Sequence, residues 1–395
     1  MGTAQPQVVI VGGGPAGSVT ALLLARAGLD VRVIERARFP RTKVCGEYLN
    51  SGAVEALARL GLLDGVRAVA AGLRGVRLVP SGVAAVALAF PRPALACARA
   101  ELDAVLLAAA AAAGAAIEQA RVEDLLVEQG RCVGVRVRTA AGDLEERPAR
   151  VVVGADGIGS VVARKLGLTV PYARGARYAI GGHYAGIGTF DGCIEMYVGG
   201  GAYFALNPLS DVRTNVMVVV PRERLGRWSA DVDAGIGEAA AALAGGARSF
   251  GEAARIGPRV SIGPLGHRVR RPWAPGALLV GDAAGFLDPF TGQGVFLALT
   301  GAERAAAAVL AALRAPECEA AHFAAYGRWR DADFVWRRRL ARAVALLVDV
   351  PPLGRRAASR LTRFPAAGAS LIEALAGLVP PQRAFRPSVL GRLLA

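Results

Sequence analysis

The stretch VVIVGGGPAGSVTALLLARAGLDVRVIE, residues 8–35, constrains this chain more than any other. Val8 to Val11 form an unbroken apolar run, the pattern of a strand buried on both faces of a parallel sheet. Gly12, Gly14 and Gly17 follow in G-x-G-x-x-G spacing. The first glycine makes the tight turn, the second lets backbone approach a pyrophosphate, and the third lets helix and strand pack closely. A helix opening at Pro15 and Ala16 then presents free N–H groups and its positive dipole end to an anion. Gly28 stops that helix, and VRVIE reads as the next strand. Glu35, followed by Arg36, lies about 20 residues past the glycines, where a carboxylate accepts from a ribose 2′-OH and favours an unphosphorylated adenosine. The motif predicts dinucleotide binding and leaves NAD and FAD open.

Composition narrows the rest. Only Lys43 and Lys165 are lysines among 47 basic residues, so the net charge of +15 is almost entirely arginine. An Ala- and Arg-rich, Lys-poor chain reads as coding bias, and no interleaved basic–aromatic patch argues for nucleic acid. More than half of the charge excess falls in residues 327–395, beside apolar runs such as ARAVALLVDV. Basic amphipathic C-terminal helices are expected there, as a solvated cap or as a peripheral contact with an anionic membrane. Cys45, Cys97, Cys132, Cys193 and Cys318 are scattered and the three His are unclustered, so neither a disulfide framework nor a metal site is expected. The N-terminus enters a strand directly, and no apolar run suits a membrane span, so the cytoplasm is the expected compartment.

Three later stretches select the cofactor. ACARAELDAVLLAAAAAAGA sets Arg99 and Asp103 at the head of a helix. VVVGADGIGSVVARKLG puts Asp156 after a buried strand. ALLVGDAAGFLDPFTGQGVFLAL puts Gly281 and Asp282 after another, then Pro289, Gly292, Gln293 and Gly294 at a helix start. Together, in this order, they resemble the flavoprotein group of p-hydroxybenzoate hydroxylase-like monooxygenases, flavin-dependent halogenases and geranylgeranyl reductases, from about residue 7 to 325. The resemblance implies FAD. Asp282 would hold the ribityl hydroxyls, the helix near Gly292 would face the flavin N1/C2=O edge, Arg99 would serve the pyrophosphate, and Val122 would touch the adenine.

It also implies an α/β fold: a Rossmann-like FAD-binding domain, an inserted antiparallel substrate sheet and a helical C-terminal region. The expected division is 1–75, 94–170 and 260–325 for the cofactor domain, 76–93 and 171–259 for the substrate domain, and 326–395 for the helices. Residues 122–157 read as two strands around a turn at Gln129–Gly130, and a helix is expected over about 232–244.

PRTKVCGEYLN, residues 40–50, resembles the geranylgeranyl-reductase side of the group. It implies that Lys43, Cys45, Gly46 and Glu47 lie near the flavin, with Cys45 and Glu47 as candidate catalytic residues. Alternation between residues 178 and 221 predicts the substrate sheet, with Tyr184, Tyr197, Tyr203, Phe204 and Pro208 as candidate lining for a hydrophobic or aromatic substrate. Tyr203, Pro208, Asn215 and Val216 match the prenyl-reductase substrate motif, but Ala205 and Asn207 replace its Trp and Phe. The halogenase W-x-W-x-I-P signature is absent. Ala163 stands where hydroxylases carry Arg after their Asp-Gly motif, so NAD(P)H is expected to act directly or through a separate flavin reductase. The leading expectation is a monooxygenase using a C4a-hydroperoxyflavin on an aromatic or polyketide-like molecule. The alternatives are an ene-reductase of an isoprenoid or lipid, a halogenase, and an FAD-containing accessory protein docking through its basic tail.

Overall fold

The computed structural model describes residues 6–171, 177–188, 190–199, 201–224, 233–234, 236–237, 253–316 and 319–394. Two sheets organise them. In the first, Val8–Val11 pairs in parallel with Val31–Glu35 on one side and Val151–Gly154 on the other. Ala277–Leu279 and Ala116–Glu128 extend the parallel set outward. The central valines and Ile10 are fully buried, as the unbroken apolar runs require. The helices Pro15–Arg26, Arg99–Ala112 and Gly294–Arg314 cover one face. Gly294–Arg314 is long and apolar enough to cross a membrane, but most of it is buried in this core.

The other face carries a meander. Ala116–Glu128 turns through Gln129 and Gly130, both at positive φ, into Arg131–Thr139, and a third strand, Leu144–Pro148, follows. Two positive φ values in a two-residue loop match the twist of the flanking strands.

The second sheet runs Ala254–Leu265, Arg177–Ala185, Arg213–Pro221, Ala202–Ser210, Cys193–Gly199, Ala71–Pro80, Val86–Ala96, Tyr48–Leu49. All pairs are antiparallel except Cys193–Gly199 beside Ala71–Pro80. Tyr48–Leu49 comes directly from the loop after the second cofactor-domain strand, so that loop is stitched to this sheet. The helix expected over 232–244 lies largely outside the described residues, as do Trp228 and Cys318.

The C-terminal region is helical: Glu319–Asp349, Pro351–Arg363, Pro365–Leu375 and Pro387–Leu394. It folds back across the second sheet, where Ala358, Leu361 and Ile372 share a core with Leu73, Val76 and Leu88. It also locks to the cofactor domain. Gly52 N–H donates to Ala376 C=O at 2.9 Å, and a Cβ on Gly52 would lie 2.3 Å from that oxygen. Gly52→Ala is therefore expected to cost about 1–3 kcal/mol through overpacking, read as a lower urea midpoint. Gly72→Ala, whose Cβ meets open space, is expected to stay within about 0.5 kcal/mol of the parent.

Candidate active site

One cavity of about 760 Å³ runs between the C-terminal edge of the parallel sheet, the second sheet and the C-terminal helices. Its first end is built for a dinucleotide. Gly12 sits at φ 103° with its Cα side facing Ala155, and a Cβ there would lie 2.6 Å from Ala155 O. A Cβ on Gly17 would lie 1.8 Å from Gly12 O, so only glycine lets helix and strand meet. Pro15 and Ala16 open the helix, and Gly14, Pro15 and Ala16 face the cavity. Glu35 accepts from Gly13 N–H and Ala37 N–H, both at 2.8 Å, which fixes its carboxylate in the cavity wall near Arg36 and Val122.

Two guanidiniums stand over Gly14. Arg99 forks onto Asp103 at 2.8 and 2.7 Å, and Arg41 approaches the same carboxylate at 3.3 Å. Asp103 has no exposed surface, so it orients both cations without presenting its own charge to a ligand. Arg41 Nε is buried without an acceptor.

The second end of the cofactor stretch holds Asp282, which faces the cavity from the turn after Ala277–Leu279. Its carboxylate has no hydrogen-bond donor among the described residues. Burial pushes its carboxyl upward, while Lys43, Arg99 and His267 pull the other way. Burial and repulsion from Arg99 push the Lys43 ammonium downward, with Asp282 opposing. Gly281, Pro289, Gly292 and Gly294 line the wall. Gln293 does not: its Oε1 accepts from Arg337 at 3.1 Å, away from the cavity. Asp156 is at the wall, but its carboxylate accepts from Ser160 Oγ at 2.5 Å and Val161 N–H at 2.6 Å, tying the start of the helix Val161–Lys165.

Residues 40–50 are clamped rather than loose. Glu47 has a positive φ of 56° and is 4% exposed. Its Oε1 accepts from Arg99 N–H at 2.8 Å and its Oε2 lies 2.7 Å from His183 Nε2, so its partners are not Lys43 or Arg41. Asn207 donates to Gly46 O at 2.9 Å, and Asn215 donates to Cys45 O at 2.7 Å. The two asparagines sit opposite each other on paired strands. Cys45 opens onto the cavity, and burial pushes its thiol up.

Beyond the loop the cavity becomes apolar, and strand parity decides which side chains line it. Tyr203, Ala205 and Asn207 face it from one strand, and Ile194, Met196 and Val198 from the next. Tyr184, Tyr197 and Phe204 point to the opposite face, into a separate core. There Tyr184 bonds Asp233 and Tyr197 bonds Glu195. Pro208 is half-buried outside the cavity wall. Of the five expected lining residues, Tyr203 alone lies in the wall; it bonds Asp288 and meets Phe290 edge-on. The opposite wall comes from Pro351–Arg363 and Pro365–Leu375, which sequence reading left as a separate tail.

A family model described as an FAD binding domain matches residues 5–332. The chain belongs to this flavoprotein family. The site fits FAD: the glycine cradle admits its backbone-close pyrophosphate, Arg41 and Arg99 supply the cations, and Asp282 is an acceptor without a donor. This FAD-dependent oxidoreductase is 31% identical to digeranylgeranylglycerophospholipid reductase 1 of Methanopyrus kandleri, over 82% of this chain and 86% of that protein. It is 30% identical to menaquinone reductase of Mycolicibacterium smegmatis, over 74% and 73% respectively. A flavin-dependent brominase structure aligns with a TM-score of 0.87 and 22% identity over 98% of both chains, a likeness of fold.

Arg41→Gln is expected to weaken FAD binding at least roughly tenfold, through loss of a charge-assisted contact. Titration of the flavin-free protein with FAD, followed by flavin fluorescence, checks it.

Proposed function

We propose that this flavoprotein reduces a carbon–carbon double bond in an extended, lipid-like substrate, with NAD(P)H as the ultimate electron source, used directly or through a separate reductase. The observation that carries the reading is the pairing of a long apolar arm with the Cys45 thiol in the cavity wall at its inner end. FAD held by the glycine cradle, once reduced with electrons from NAD(P)H, would supply the hydride.

Saturating a double bond also needs a proton on the second carbon. Cys45 lines the cavity where the cofactor stretch meets the arm. Burial holds its thiol above the ordinary value, so the proton stays on sulfur through neutral pH. Glu47 N–H points to Cys45 Sγ at 3.2 Å, and the Asn207 and Asn215 amides hold the backbone on either side of it. Cys45 is then the proton donor, and Asn207, Asn215 and Glu47 are positioning residues. The apolar wall excludes water from the reacting carbons.

Support also comes from the curated relatives, two of whose names describe lipid and quinone reductases. The monooxygenase reading shares the cofactor and the cavity. Of the aromatics behind its aromatic-substrate expectation, Tyr203 lies in the wall, while Tyr184, Tyr197 and Phe204 lie on the far face of the sheet. A halogenase reading finds no lysine along the arm: Lys43 stands beside Asp282, and Lys165 pairs with Asp124 at 3.0 Å.

The test is anaerobic. Reduced enzyme mixed with polyprenyl lipids is expected to return to oxidised flavin as the lipid gains two hydrogens, read by absorbance and mass spectrometry. Reoxidation only with O₂, with oxygen found in the product, would overturn the reading in favour of a monooxygenase. In the reductase assay Cys45→Ala is expected to lower kcat by roughly 10²-fold with KM little changed. The parent's rate should stay flat through neutral pH and fall only above the ordinary thiol range, because a raised thiol pKa keeps the donor protonated longer.

A further inference from the structure

The apolar arm contains one charge that its own surroundings do not balance. Among the described residues that the second sheet and the C-terminal helices contribute to the cavity wall, Arg355 is the single charged side chain. It lies on the Pro351–Arg363 helix, one turn before Ala358 and on the face shared with Pro351, Gly354 and Leu361, all of them lining residues. It is half-buried. Its guanidinium has no ion pair, hydrogen bond or ring contact among the described residues.

Nearby acids are already engaged. Asp349, two residues before the helix, pairs with Arg177, which also holds Asp288 at 3.1 Å. The helix itself opens on Pro351 and Pro352 with no acidic residue in its first turn. A cation this close to a helix N-terminus faces the positive end of the helix dipole. Placing an unpaired guanidinium against apolar walls costs further solvation. Both penalties are relieved by the same thing, an anion inside the cavity, and a guanidinium fork is shaped for a carboxylate or a phosphate.

We infer that the substrate is an amphiphile bearing one carboxylate or phosphate, and that Arg355 binds this group while the carbon chain fills the arm. The inference rests on the arm being the substrate site proposed above, and not on the reaction performed there.

The register of the sheet sets the expected geometry. Tyr203, opposite Val198, lies four residues along its strand from Asn207, the clamp on the Cys45 loop. That separation is roughly 13 Å at strand rise. Pro80, Ser81 and Gly199, at the ends of the two neighbouring strands, belong to the same wall near Tyr203. A Cβ on Gly201, two residues before Tyr203, would lie 3.9 Å from Asp349 Oδ1, so the Pro351–Arg363 helix starts at this end of the wall and Arg355 would serve as an anchor away from the Cys45 loop. It acts as a specificity residue, fixing which bond along a chain reaches Cys45.

The test uses the FAD-loaded full chain and three probes with the same tail: dodecanoate, dodecyl phosphate and 1-dodecanol, kept below their aggregation limits. Binding is read from the perturbation of the flavin spectrum and by calorimetry, so no turnover is needed. The parent is expected to bind at least one anionic probe roughly tenfold or more tighter than the alcohol. The stronger of the two anions tells carboxylate from phosphate. Arg355→Leu is expected to erase that preference while leaving dodecanol affinity and the melting temperature near the parent's. Arg355→Lys is expected to keep part of it. Equal binding of acid and alcohol by the parent, or a preference that survives in Arg355→Leu, overturns the inference while leaving the arm as a lipid site. Failure of all three probes to bind overturns the lipid-site reading itself, and the inference with it.

Discussion

The geometry of this protein turns on one buried carboxylate. Glu47 reaches the backbone of Arg99 at the head of a cofactor-domain helix and the side chain of His183 on the second sheet. It thereby ties the cofactor domain to the second sheet, alongside the Asn207 and Asn215 amides that hold the same loop. To do so it adopts a left-handed backbone conformation that non-glycine residues rarely take. Its two contacts, one buried and one part-buried, offset that strain. Everything functional is referenced to this joint. Arg99 orients through Asp103, Cys45 is two residues away, and Tyr48 begins the strand that enters the second sheet.

Around the joint the charges are graded. Two arginines on Gly14 share one fully buried aspartate, and Arg41 also lies 3.8 Å from Glu35, so both guanidiniums are held in place beside the glycine turn. Lys43 and Asp282, a few residues further into the cavity, are each pushed toward neutrality by burial and each favour the other's charged form. Beyond Cys45 charge ceases apart from Arg355 and the paired Asp288. The cavity thus passes from ionic to apolar along its length.

How legible this was in sequence differs between the two ends. Gly12, Gly14, Gly17 and Glu35 act through backbone geometry within one βαβ unit, so fixed spacing carried the information. The valine run and the Gln129–Gly130 turn were readable for the same local reason. The substrate wall was less so. Aromatic content suggested Tyr184, Tyr197 and Phe204, but which face of a strand meets the cavity depends on register with distant strands, and a one-residue change of parity reverses it. Parity was partly recoverable, since Asn207 and Asn215 stand nearly symmetrically about the turn at Asp211–Val212 and share a face with Tyr203. Glu47's partners were not recoverable, because His183 lies 136 residues away and no motif links them. Nor was the role of the last helices, whose arginines masked a small-residue and leucine face that packs on the sheet.

The family model ends at residue 332, whereas Pro351–Arg363 and Pro365–Leu375, which close the arm, come after it. The glycine cradle and the helices that close the arm therefore lie in separate stretches of the chain, so the length and charge of the closing wall can be altered by substitutions that leave every cradle residue in place.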